Sequence, residues 1–197
     1  MADTLIRRSP LQEYASRFSE TPDSVAISEE PFTAMVDLWV DPGADAGTAA
    51  ADTLGVPALP TAPSTVIDGR GVSVIWFGPQ EWLVTSAEQD GENLEKRLRA
   101  VISEHGGAAV DVSAQRTTVR LRGAHARDLL AKGCSLDLHP SAFGVGAAAQ
   151  TMLGLAAVVL IPLDDKGTDY RILVRSSFAC YLAEWLIDAA KEFAVAQ

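Results

Sequence analysis

Residues 32–102 and 116–190 read as two copies of one unit, about 84 positions apart, and this duplication restricts the chain to paired architectures. Each copy runs strand, strand, helix, strand hairpin, helix. In the first, a strand over 33–40 stops at Asp41-Pro42-Gly43. An Ala-rich helix over 44–54 follows, with Gly55 where a left-handed helix stop belongs. Strands over 72–77 and 82–86 flank Gly78-Pro79-Gln80-Glu81 as a hairpin. A helix capped by Asp90 sets Leu94, Leu98, Val101 and Ile102 on one face. The second copy repeats the order. A short strand covers 109–112, and a second covers 117–121. In the second, Thr117, Val119 and Leu121 face one way and Arg120 and Arg122 the other. A helix over 124–132 follows, then a strand region over 150–161 interrupted near Gly154. A returning strand over 170–174 leads into a final helix over 178–193. That helix carries Phe178, Tyr181, Leu182, Trp185, Leu186 and Ala189 as its expected apolar stripe.

The expected fold is α+β: two tandem ferredoxin-like-type α/β units, with mainly antiparallel sheets and helices on one face of each. The expected segments are an N-terminal arm and short helix over 1–24, a first unit over 25–106 and a second over 107–197. In the arm, Ser9-Pro10 has the form of an N-cap followed by Pro at the first helical position, opening a helix over 10–18.

The 197 residues are 48% hydrophobic, enough for a packed core and against general disorder. The net charge of −10 opposes a nucleic-acid partner without excluding a local basic patch. No secretory leader is recognisable, and the apolar run over 152–161 is too short to cross a bilayer, so a soluble cytoplasmic chain with no membrane partner is expected. Cys134 and Cys180 lack metal-ligand spacing and read as buried free thiols. His105, His125 and His139 are too dispersed to ligate a metal together. Ser113, Ser176 and Ser177 have no nearby base, and Asp164-Asp165 reads as a solvated turn. No phosphate-binding glycine motif occurs. Catalytic, cofactor and metal residues are therefore all expected to be absent. Arginine is the exception: Arg7, Arg8, Arg116, Arg120, Arg122, Arg127, Arg171 and Arg175 stand out in an acidic chain, and arginine suits desolvated ion pairs at interfaces. The expected partner-facing residues are Arg7, Arg8, Pro10, Leu11, Arg120 and Arg122.

Two stretches carry a family resemblance. Residues 110–113 (Val-Asp-Val-Ser) and 119–130, from Val119 through Gly123 to Leu129-Leu130, resemble the folate-binding fold of glycine-cleavage aminomethyltransferases. Residues 7–11, 76–83, 132–140 and 175–179, with Trp185-Leu186, are more similar to the gamma subunits of heterotetrameric sarcosine oxidase. The resemblance implies a subunit of a complex that demethylates sarcosine oxidatively to glycine. The products are hydrogen peroxide and formaldehyde or 5,10-methylenetetrahydrofolate. It also implies alpha, beta and delta partner subunits, with FAD, FMN, NAD and zinc carried by those partners and none by this chain. One departure stands out. The acidic hairpin that serves folate in aminomethyltransferases corresponds to residues 150–159 here, which contain no carboxylate. A folate-dependent aminomethyl or one-carbon transfer enzyme is the alternative expectation.

Overall fold

The computed structural model describes residues 7–194. A 3-10 turn, Gln12–Tyr14, leads into α1 (Ala15–Ser19). The first half continues as β1 (Ala26–Glu30), β2 (Ala34–Trp39), α2 (Asp45–Leu54), β3 (Val66–Asp68), β4 (Ser73–Gly78), β5 (Glu81–Ser86) and α3 (Gly91–Ile102). The second half runs β6 (Ala108–Asp111), β7 (Arg116–Arg122), α4 (Ala126–Ala131), β8 (Ala149–Leu153), β9 (Ala156–Pro162), β10 (Asp169–Arg175) and α5 (Ser176–Ala190). Each half is thus two strands, a helix, three strands and a helix, and the duplication is real at the level of structure.

Both sheets are antiparallel and five-stranded, in the orders β1-β7-β10-β9-β8 and β6-β2-β5-β4-β3. Position for position these orders are the same, with one exchange. The leading strand of each half sits on the other half's sheet: β1 pairs with β7 and β6 pairs with β2. A boundary near residue 106 therefore separates the repeats but not the sheets. The halves exchange their first strands across this boundary, so neither sheet is built from one half alone. β1 and β6 are short edge strands, and local pattern does not encode which sheet will receive them.

The sheets stack face to face. Met35, Ile75 and Leu83 from one meet Val159, Ile161 and Leu173 from the other in a shared apolar layer. Period-two alternation turns the remaining strand residues outward to helices. Val36, Leu38 and Val84 pack under Leu54, Leu94 and Leu98 of α2 and α3. Val119, Leu121 and Ile172 pack under α4 and α5. The layers run helix, sheet, sheet, helix, so each sheet carries its helices on one face.

Local signals explain the elements. Gly55 ends α2 at φ 72. The Asp90 side chain accepts from the Asn93 amide at the start of α3. Gly123 (φ 135) turns β7 toward α4 where any Cβ would fall 2.2 Å from the Ser24 backbone. Asp111-Val112-Ser113 pins the crossing from one sheet to the other. The Met35 amide donates to the Ser113 hydroxyl at 2.9 Å, the Val112 amide donates to the Met35 carbonyl at 2.8 Å, and Ser113 bonds Asp111.

Several expectations change. Ser9 does not cap a helix; its hydroxyl donates to Glu29 at 2.6 Å, and regular helix begins only at Ala15. The buried stripe of α5 is Ala179, Leu182, Ala183, Leu186 and Ala190, leaving Phe178 and Tyr181 exposed. Cys134 is buried as expected, whereas Cys180 is exposed.

Candidate functional site

Polar chemistry in this fold concentrates between the sheets. Alternation along β1 sends Ile27 and Glu29 toward the helices and Ser28 and Glu30 toward the facing sheet. Along β7 and β10 it sends Thr118 and Arg120, and Asp169 and Arg171, the same way. The face of β7 that carries Arg120 therefore looks onto a second sheet rather than onto solvent.

Four of these side chains form one ion network. Arg120 grips Asp169 through two parallel hydrogen bonds, Nε to Oδ1 at 2.8 Å and Nη2 to Oδ2 at 2.6 Å. Its Nη1 reaches Glu30 at 3.2 Å. Arg171 grips the same Glu30 carboxylate at 2.5 and 3.1 Å. Two positive and two negative charges neutralise one another. The fork geometry makes these pairs stronger than single contacts. The hydrogen bonds it donates to Asp169 hold Arg120 more basic than an ordinary arginine, although burial opposes this. Burial is the largest influence on Glu30 and pushes its pKa up. The hydrogen bonds and charges of Arg171 and then Arg120 together outweigh it, so the carboxyl lies below its ordinary value.

A cavity of about 260 Å³ opens beside this network, lined by Glu30, Arg171, Thr118, Asp68, Ser73 and Thr85. The buried Thr118 hydroxyl faces no hydrogen-bond partner among the described residues. Among the described residues no three His, Cys, Asp or Glu side chains gather as a metal site would require, and no helix is long and apolar enough to cross a membrane. His125 bonds Asp128 at 3.0 Å and stacks on Phe193; His139 bonds Ser141. Asp164 serves its own turn, accepting from Thr168 and Lys166, while the Val145 amide donates to Asp165.

The six residues expected at a partner surface separate into two groups. Arg7, Arg8, Pro10 and Arg122 are exposed. Arg7 lies 4.5 Å over the Phe32 ring, and a cleft of about 480 Å³ beside it is walled by Ala15, Phe18, Ile27 and Phe32. Leu11 is 0% exposed and belongs to the core under α5, and Arg120 is committed to the ion network. Leu11 is thus corrected from surface to core. An apolar residue in a terminal arm has no local signal that the arm folds back. Glu30 and Asp169 escaped sequence reasoning because each gains its role from a strand distant in the chain. The signal available was the outward turn of Arg120, which demanded a counterion once a second sheet covered it.

Comparison with known proteins places this geometry. The family model described as sarcosine oxidase, gamma subunit family, matches residues 40–192. The sarcosine oxidase subunit gamma of Corynebacterium sp. (strain P-1) is 35% identical over 194 residues, covering 97% of this chain and 93% of the relative. Among solved structures, the heterotetrameric sarcosine oxidase from Corynebacterium sp. U-96, in complex with pyrrole 2-carboxylate, aligns at TM-score 0.89 and 34% identity. The alignment covers 98% of this chain and 99% of that one. The glycine cleavage system aminomethyltransferase T from Bartonella henselae aligns at TM-score 0.57 and 13% identity over 88% of this chain and 48% of that one, which is a likeness of fold alone.

Proposed function

The chain belongs to the sarcosine oxidase gamma subunit family, and from that membership we propose that it is a non-catalytic assembly subunit of a heterotetrameric sarcosine oxidase. The observation that carries the assembly role is the end-to-end match to one chain of a heterotetramer: a whole subunit aligns, not a shared module within a larger enzyme. The non-catalytic role is supported by the state of the charged groups between the sheets. General acid–base chemistry needs a group free to exchange a proton with substrate. Glu30 and Asp169 are instead occupied in ion pairs with Arg171 and Arg120. Their work is to tie β1, β7 and β10 to one another within one sheet.

In this reading the complex oxidises sarcosine to glycine in the cytoplasm. The N-methyl carbon leaves as formaldehyde or is captured as 5,10-methylenetetrahydrofolate, and oxygen is reduced to hydrogen peroxide. FAD, FMN, NAD and zinc reside on the alpha, beta and delta subunits. The exposed residues Arg7, Arg8, Pro10 and Arg122 face a partner. The arm around Arg7 presents charge beside the apolar cleft at Phe32, a combination suited to an interface rim.

Expression of the chain alone and with its partner subunits tests the reading. Alone, it shows no flavin absorption and no sarcosine-dependent peroxide; together, it co-purifies with the flavin-bearing chains. Peroxide production by the isolated chain, or saturable tetrahydrofolate binding in calorimetry, would sink the non-catalytic role.

A further inference from the structure

β7 and β10 place two arginine pairs directly opposite each other on the face between the sheets, Arg120 with Arg171 and Arg116 with Arg175. Like charges directly opposite on neighbouring strands repel. The first pair is offset by Glu30 and Asp169. The second pair has the same cross-strand geometry but no such offset. Among the described residues, no carboxylate oxygen lies within 4.0 Å of either guanidinium. The polar contact of Arg116 is a long one to Gln115 at 3.3 Å, and its guanidinium stands 5.5 Å from the centre of the Phe77 ring. Burial first, and the charge of Arg175 second, lower its basicity. Asp37 and Glu81 on the facing sheet attract it from beyond ion-pair distance. Asp37 accepts from the Trp39 indole at 3.1 Å.

Both arginines line a cavity of about 450 Å³, within the usual range for small-ligand sites. Gln150, Thr151 and Ser135 supply further polar groups, and Val159 and Leu173 an apolar wall. Two arginines set directly opposite each other by the register and lining one cavity, one of them partly desolvated, form a recognition surface for a planar or tetrahedral oxyanion.

We infer that this cavity binds a small molecule through a carboxylate or phosphate group seated between Arg116 and Arg175. The inference stands independently of the assembly role. The net charge of −10 repels anions at long range, so the site selects by contact rather than by steering.

The test is a thermal-melting titration of the full chain with sodium phosphate and, separately, sodium succinate, each matched in ionic strength by sodium chloride. The expected result is a saturable rise in melting temperature with at least one oxyanion and none with chloride; the more effective probe identifies the group bound. Arg175→Gln, at an exposed position that tolerates change, raises the half-saturating concentration about tenfold or more. Arg116→Lys weakens binding while keeping the charge. Arg99→Gln, exposed on α3, leaves the titration unchanged. An equal shift with chloride, no saturable shift with either oxyanion, or wild-type binding by Arg175→Gln would each overturn the inference. A lack of binding would mean that Arg116 is served by Asp37 and Glu81 through space.

Discussion

Glu30 and Gly123 each hold a junction of the fold, one by charge and one by the lack of a side chain. Glu30 bridges two arginines, so Glu30→Gln leaves Arg171 without a counterion and destabilises the chain by about 1–3 kcal/mol at neutral pH. Because the folded-state pKa is depressed, the stabilisation is fully present above the unfolded-state value of about 4.3 and is lost as pH falls through the lower folded-state value. Urea melts of both proteins across pH 3–7 should therefore converge at the acidic end, and a constant gap down to the lowest pH would contradict the assignment. Gly123 adopts φ 135 against the Ser24 backbone, so Gly123→Ala combines strain with overlap and costs about 2–5 kcal/mol in the same melts.

Helix α5 shows what alternation and periodicity reveal and what they hide. Its position, length and amphipathic character were legible, as were α2 with its Gly55 stop, α3 with its Asp90 cap, the hairpin at 78–81 and a strand break near Gly154. The buried face was not. Large aromatics dominate any hydrophobic tally, yet Ala179, Ala183 and Ala190 are the residues that let the helix lie close on the sheet, and Phe178 and Tyr181 turn aside. Trp185 lies at the margin of the core, its ring filling the space above Gly133 and Gly154, while the Tyr181 hydroxyl accepts from the Leu155 amide at 2.9 Å. Two outcomes follow in chemical denaturation of the isolated chain. Trp185→Ala costs about 2–3 kcal/mol, below the range for a fully buried tryptophan, and Phe178→Ala costs less than about 1 kcal/mol. The ion network was half legible for a related reason. The outward turn of Arg120 was visible in the alternation of β7, but its counterions lie on β1 and β10, and only tertiary pairing brings them to it.

At the scale of the molecule, the exchange of β1 and β6 ties the repeats into one cooperative body. A fragment of residues 1–106 keeps β1 but lacks its partner β7, and it loses the β6 edge of its own sheet. It should show no sharp unfolding transition alone and regain one when mixed with residues 107–197, as followed by circular dichroism. An independent sharp transition from either fragment would refute this coupling. The exchange also sets an order in time. Ile27 can pair with Leu121 only after the chain between them has been made. At ordinary rates of synthesis that interval is about 5–20 s, during which a finished strand waits beside the ribosome with its hydrogen-bonding edge unclaimed. The Glu29 and Glu30 carboxylates at the end of that strand carry like charge while they wait, a guard against pairing with a neighbouring nascent copy until the arginines of β7 and β10 arrive.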